Sequence, residues 1–236
     1  MCIVEKASEV GAHILSGNVF ETKALDELLP DWQSMEGCPL KTKVSKEKFL
    51  VLSEKSYFSV PSFLLPPVQH NKGNYITSLA NLCRWLGQVA EGMGVEIYPG
   101  FAASEILYDE QGKVRGVATN DMGLDINNER KDSYEPGIEL HAQVTVFAEG
   151  CRGHLGKQLI NKFNLSENSD PQQYGIGLKE IWEVPEENHD EGMVLHSVGW
   201  PLENDTYGGS FVYHAENKQI YLGYVIGLDY SNPYLS

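Results

Sequence analysis

The 236-residue sequence contains no apolar run approaching the roughly 20 residues that cross a bilayer as a helix, so the chain is expected to be soluble or peripheral. It is also short of bases. Lys and Arg number 18 against 33 Asp and Glu, a formal net charge of −15. That balance opposes nucleic acid as a partner. Its four cysteines, Cys2, Cys38, Cys83 and Cys151, are far apart and form no C-x-x-C. Reduced core thiols are therefore expected rather than a disulfide frame or a metal site. None of the seven histidines falls at a ligand spacing such as H-E-x-x-H, and the sequence has no P-loop, nucleophile elbow or G-x-G-x-x-G loop. With no nucleophile or metal set to carry a reaction, a cofactor is expected to supply the chemistry.

What is present begins with Cys2-Ile3-Val4, a short apolar run ending on Glu5. A buried parallel strand looks like this. In dinucleotide-binding folds an acid at such a strand end accepts a hydrogen bond from a ribose hydroxyl. The bland alternative is a solvated Glu. "GAHILSG" (11–17) reads as a loop, and Phe20, Leu25, Leu28, Leu29 and Trp32 follow at near-helical spacing. That short amphipathic helix either packs on the core or lies on a membrane surface.

Residues 41–60 predict a hairpin of Phe49–Leu52 and Tyr57–Val60, joined through Ser53–Ser56. "PSFLLPPVQH" then has three prolines around an apolar tip, so Phe63, Leu64 and Leu65 must be buried by another segment or offered to a partner. From Asn74 the spacing of Ile76, Leu79, Ala80, Cys83, Leu86 and Ala90 predicts a helix ending at Gly92 and Gly94, with "VEIYP" as the next strand. Strand, helix, strand is the parallel crossover of an α/β protein. A hairpin follows around Asp109–Gly112, then a polar insertion over 122–137. Val144, Val146 and Phe147 predict a strand running into the turn Ala148-Glu149-Gly150, with a helix from near Gly153. A glycine there suits close approach of backbone to a ligand, and the helix N-terminus suits an anion; a tight strand-to-helix turn is the plainer explanation. Beyond Pro171 the texture becomes β, with an antiparallel sheet expected. The paired glycines of "YGGSFVYH" (207–214) fit a bulge or the close passage of a flat ligand.

"GAHILSG", "GNYI", "WLGQVAEGMGVEIYPGFAA", "GVATNDMG", "VTVFAEGCRGHLGKQL", "YGIGLKE", "VGWPL", "TYGGSFVYH" and "GLDYSNPYLS" together resemble the electron transfer flavoprotein–ubiquinone oxidoreductase family over nearly the whole chain. The resemblance implies an α/β (α+β overall) chain: a glutathione-reductase-like FAD-binding fold fragment with a β-rich quinone-binding domain. It implies residues 1–38 and 72–170 as parts of the FAD-binding domain and 171–236 as the start of the quinone-binding domain. Residues 39–71 would be a hairpin-and-loop insertion that could belong with the quinone domain.

It further implies FAD and a [4Fe–4S] cluster whose ligands lie outside this chain, and transfer of electrons from electron transfer flavoprotein to ubiquinone. The implied place is the matrix face of the mitochondrial inner membrane, in contact with its surface. Glu5 would hold the adenosine ribose, Ser16 and Gly17 would lie along the FAD, and Ala102 and Ala103 would approach its adenine side through backbone. Glu149 and Gly150 would close the site near the ribityl chain and pyrophosphate. Gly208 and Gly209 would contact the quinone, and Val10–Asp31 would match a segment dipping into the membrane surface. The family's glycine-rich loop would lie upstream of Cys2, so the chain is expected to be a middle part of the enzyme with weak FAD binding of its own. Two alternatives remain: another flavoprotein of the same fold, geranylgeranyl-reductase-like or aromatic-hydroxylase-like, or a non-catalytic remnant that only docks to a partner.

Overall fold

The computed structural model describes residues 1–14 and 17–231. In chain order, strand β1 (Cys2–Glu5) is followed by β2 (Asn18–Phe20), helix α1 (Lys23–Leu28), β3 (Thr42–Lys43), β4 (Lys46–Leu52), β5 (Tyr57–Val60) and β6 (Tyr75–Thr77). Helix α2 (Leu79–Gly92) leads into β7 (Glu96–Pro99), β8 (Ala103–Tyr108), β9 (Val114–Thr119), β10 (Met122–Leu124), β11 (Arg130–Glu135) and β12 (Glu139–His141). Helix α3 (His154–Phe163) precedes β13 (Gly175–Glu183), β14 (Met193–Gly199), β15 (Gly208–His214) and β16 (Gln219–Gly227). The chain divides into two compact units, residues 1–13 with 87–170 and residues 14–86 with 171–236. Residues 14–38 and 72–86 thus group with the second unit, because β2 and β3 both pair with β6 in one small sheet.

In the first unit β1 and β7 pair in parallel, Cys2 opposite Glu96 through Glu5 opposite Pro99. β8, β9 and β12 form an antiparallel meander. Its first turn is tied by Asp109, whose Oδ1 accepts from the backbone N–H groups of Gln111 and Lys113, both at 2.9 Å. Leu155 of α3 packs with Ile106 and Val117 of the meander to make this unit's core.

The second unit is built on a six-stranded sheet in the order β13-β16-β15-β14-β4-β5. The hairpin β4–β5 forms as the sequence predicts, with Leu52 opposite Tyr57. Its Ser53 hydroxyl accepts from Ser56 N–H at 3.1 Å, which closes the turn. The sheet is mixed rather than purely antiparallel, since β4 runs parallel to β14. Val194, Phe211, Tyr213 and Tyr221 on one face pack against Val44, Ile76 and Val19, so the small β2-β6-β3 sheet covers one end of that face.

Five further expectations are corrected. The helix predicted from Asn74 begins at Leu79, and Tyr75-Ile76-Thr77 is strand. Ile76 and Thr77 are β-branched, Tyr75 and Ile76 find partners on both sides and Thr77 on one, and that pairing overrides helical spacing. The buried face of α2 is instead carried by Ala80, Leu82 and Trp85. The polar insertion is a hairpin, β10–β11. Its turn repeats the Asp109 device: Asp125 Oδ1 accepts from Asn127 and Glu129 N–H, both at 2.8 Å, and Asn128 takes a positive φ. Residues Val144–Phe147 pair with no strand among the described residues, and Val144 and Val146 are exposed. β1 is exposed over Cys2 and Ile3, and of the free cysteines only Cys38 is buried.

Candidate functional site

Glu5 ends β1, and the chain must turn there. Its Oε1 accepts from Ala7 N–H at 2.6 Å, which fixes the carboxylate at the C-terminal edge of the parallel pair. Ala7 is buried and its carbonyl accepts from Gly100 N–H at 2.7 Å. That bond ties the loop after β7 to the end of β1, so Glu5 and the half-buried Ala102 and Ala103 belong to the same end of the unit. Ligands of open α/β sheets sit outside this carboxyl edge.

Glu149 has another local task. Its Oε2 accepts from Gly156 N–H at 2.7 Å and its Oε1 from Leu155 N–H at 3.3 Å. His154 Nδ1 stands 3.3 Å from the same carboxylate. The carboxylate therefore caps α3 and offsets the positive end of its dipole. Gly153 is needed for this, because a Cβ there would collide with Glu149. Gly150 differs: its φ is +76° and a Cβ would meet nothing within 4 Å, so its backbone opens onto free space. Glycine at that point serves the turn and leaves room for close approach. The Oγ1 of Thr145 is buried without a partner just before this turn.

In the second unit Gly17 takes φ +90°, and its carbonyl accepts from Lys179 Nζ at 3.1 Å. The ring of Tyr221 lies 3.1 Å from where a Gly17 Cβ would stand, so a side chain would press on the core. Ser16 lies outside the described residues. Gly208 and Gly209 open β15 between β14 and β16. A Cβ on Gly209 would strike the Ser197 carbonyl oxygen of β14, and one on Gly208 would strike the Val225 carbonyl oxygen of β16. The pair is required by strand packing, whatever else it contacts.

Beside Gly209 lies Val198, whose Cγ1 is 3.4 Å from the virtual Cβ. Val198, Val51 and Phe58 are successive cross-strand partners on β14, β4 and β5. All three are exposed, Phe58 to 64%. One residue-pair further along the same face, His196 Nε2 and the Tyr213 hydroxyl are 2.8 Å apart. Burial pushes the Tyr213 hydroxyl up to about 12 and holds His196 below its usual range. This apolar row was not singled out from the sequence; the alternation of Val51 with its neighbours is visible there, but its partners come from three separate stretches. Among the described residues no group of His, Cys, Asp and Glu could hold a metal ion. No helix among them is long and apolar enough to cross a membrane.

Residues 174–236 match the family model described as ETF-QO, ubiquinone-binding. Over its whole length the chain is 58% identical to electron transfer flavoprotein-ubiquinone oxidoreductase of Pseudomonas aeruginosa, covering 43% of that protein. It is 54% identical to the mitochondrial protein of that name from Dictyostelium discoideum and 52% to that from Bos taurus, covering 38% of each. The chain thus spans about two fifths of the length of these relatives. Among solved structures, a geranylgeranyl bacteriochlorophyll reductase-like protein from Thermoplasma acidophilum superposes with a TM-score of 0.62 over 95% of this chain and 49% of that one, at 15% identity. A flavin-dependent brominase, Bmp2, superposes with a TM-score of 0.59 over 97% of this chain and 51% of that one, also at 15% identity. At such identities these neighbours establish the fold, the mixed α/β fold of flavin-dependent oxidoreductases. The sequence, by contrast, is similar along its full length to the electron transfer flavoprotein–ubiquinone oxidoreductases, of which it spans about two fifths.

Proposed function

We propose that this chain supplies part of the FAD site and part of the quinone site of an enzyme passing electrons from electron transfer flavoprotein to ubiquinone. The observation that carries the reading is 58% identity along the entire chain to a relative of that name, with the ubiquinone-binding model falling on residues 174–236. The first unit fits a bound dinucleotide in two respects. Glu5 is held at the carboxyl edge of β1, where a carboxylate accepts from ribose hydroxyls. Gly150 presents backbone to open space, where a phosphate or sugar can approach closely. FAD, when bound, supplies the redox chemistry.

The residues of this chain would hold it in place. Glu5 takes the adenosine ribose, and Ala102 and Ala103 offer backbone to the adenine side. Glu149 acts by holding α3 against the turn, so that Gly150 stays open. In the second unit Gly208 and Gly209, at the start of β15, are assigned to the quinone head by the resemblance. The row Val198, Val51, Phe58 offers an apolar track beside Gly209 for an isoprenoid tail. The domain reading follows: an FAD-binding part around β1, β7 and α3, and a quinone-binding part from residue 171 onward. The [4Fe–4S] cluster expected of the family would take its ligands from outside these residues. The relatives named as mitochondrial support a mitochondrial place of action, and the matrix face of the inner membrane is what the resemblance implies; a relative of the same name is bacterial.

The test is a transplant. This chain replaces the matched 238-residue stretch of the Pseudomonas relative. The chimera should retain FAD, be bleached by reduced electron transfer flavoprotein and be reoxidised by a ubiquinone analogue. A folded, flavin-bound chimera that is bleached but never reoxidised by quinone would overturn the quinone assignment.

A further inference from the structure

His196 and Tyr213 put polar atoms on a mostly apolar sheet face. His196 Nε2 and the Tyr213 hydroxyl are 2.8 Å apart, and the two rings meet edge-on at 5.4 Å. Cross-strand register gives them their place. Phe49, His196, Phe211 and Gly223 are successive partners on β4, β14, β15 and β16, so they share one face of the six-stranded sheet. Val51 and Val198 lie on the same face one row along, with Gly209 beside Val198. Residues two apart on a strand are separated by about 7 Å. A flat ring seated at Gly209 therefore has His196 as its neighbour in the next row.

His196 also reaches toward solvent. With Glu47, Gln69 and Asn71 it lines a small cavity beneath the segment that follows β5. Glu47 is fixed there, its Oε2 accepting from Asn71 N–H at 2.7 Å. Burial holds His196 below its usual range, opposed by the Glu47 charge, and it pushes the Tyr213 hydroxyl up to about 12. Tyr213 thus stays a hydroxyl, a fixed partner for one ring nitrogen. An uncharged imidazole in such surroundings gains a proton when negative charge develops beside it. The other titratable groups around it are Lys179 on β13 and Tyr221 on β16, in the neighbouring rows of this face, Lys48 at the cavity, and His70, whose ring bonds the Leu65 carbonyl at 3.1 Å.

We propose that His196 passes a proton to the quinone as it is reduced, and that Tyr213 holds the ring in position for the transfer. This rests on the quinone reading above. Reduction of a quinone to its quinol takes two electrons, which the reduced cofactor of the enzyme supplies, and two protons. An N–H bond of the His196 imidazolium breaks as an O–H bond forms on one quinone oxygen. The neutral ring is then re-protonated from solvent through the cavity. The second oxygen takes its proton from solvent, and Tyr213 keeps its own throughout.

The experiment uses the chimera with the Pseudomonas relative, its two half-reactions followed separately and normalised to bound flavin. His196→Gln keeps an amide that can bond Tyr213 but carries no proton at neutral pH. It should slow reoxidation by a ubiquinone analogue at least about tenfold and leave bleaching by reduced electron transfer flavoprotein unchanged. His196→Ala should be slowed as much. Added imidazole should restore part of its rate, whereas pyrazole, of the same shape but a far weaker base, should not. Tyr213→Phe leaves His196 in place, so it should slow reoxidation a few-fold and gain nothing from imidazole. Full-speed reoxidation in His196→Gln, or equal rescue by imidazole and pyrazole, would make the pair a packing contact and overturn the inference alone. A parent chimera that quinone never reoxidises would overturn the quinone assignment and this inference with it.

Discussion

The two units spend apolar residues differently. In the second, a six-stranded sheet and a three-stranded one bury Val44, Ile76, Val194 and Tyr221 in a shared core. The first has the residue pattern of a parallel sheet without its burial. β1 and β7 pair alone, Ile3 is 39% exposed, and Val144 and Val146 stand about four-fifths in water. Parallel strands are ordinarily covered on both faces, and their continuous apolar runs exist for that reason. The pattern in the first unit therefore asks for more sheet than the described residues provide. The lesson concerns inference from pattern. An apolar run specifies an environment, and where that environment is missing the run remains while the strand does not form.

The strongest way to sharpen this contrast is to remove one large side chain from each side of it. Trp32 is 2% exposed, meets Tyr75 edge-on at 5.5 Å and donates from Nε1 to Asp26 at 2.6 Å. Trp32→Ala should cost about 3–5 kcal/mol in a urea titration. Val146→Ala, 82% exposed, should shift the midpoint by less than about 0.5 kcal/mol. Comparable losses at both positions would erase the contrast.

The Tyr213 hydroxyl gives a pH handle on the second unit alone. Its pKa is pushed up to about 12 by burial, against 10.0 when unperturbed. The unfolded chain therefore loses this proton first. The stabilisation is fully present below about pH 10 and is lost as the pH rises toward about 12, by roughly 2–3 kcal/mol. Tyr213→Phe should flatten this part of the profile, read from denaturant midpoints across the alkaline range. A variant profile as steep as the parent's would reject the assignment.

Gly209→Ala should cost roughly 1–3 kcal/mol, since the new methyl meets the Ser197 carbonyl of β14. A quinone-site role thus cannot be isolated by this substitution. Val51→Ser and Phe58→Ser, on exposed positions of the same row, are the cleaner probes of the tail track. In the first unit Glu149→Ala should cost about 0.5–2 kcal/mol through loss of the α3 cap. A matching change in helix content would be seen by circular dichroism, and no loss at all would release Glu149 from that role.

Much of this architecture was legible in local signals. The Ser53–Ser56 and Asp109–Gly112 turns are closed by side chains that the sequence displays, and both hairpins form there. The third hairpin was missed although Asp125 and Asn128 carry the same turn chemistry, because β10 is only three residues long and β11 shows no apolar alternation. Tyr75–Thr77 was misread because helical spacing is local, whereas its partners β2 and β3 are distant in sequence. At the site, Glu5 is placed at a strand end as the pattern suggests. The cap made by Glu149 and the row beside Gly209 depend on contacts no spacing reveals.

Amide hydrogen exchange on the 236-residue chain tests the contrast between the units most directly. The account predicts that the central strands β14, β15 and β16 exchange only through global unfolding, while β1 and residues 144–148 exchange orders of magnitude faster under the same conditions. Equal protection of β1, residues 144–148 and β15 would contradict it.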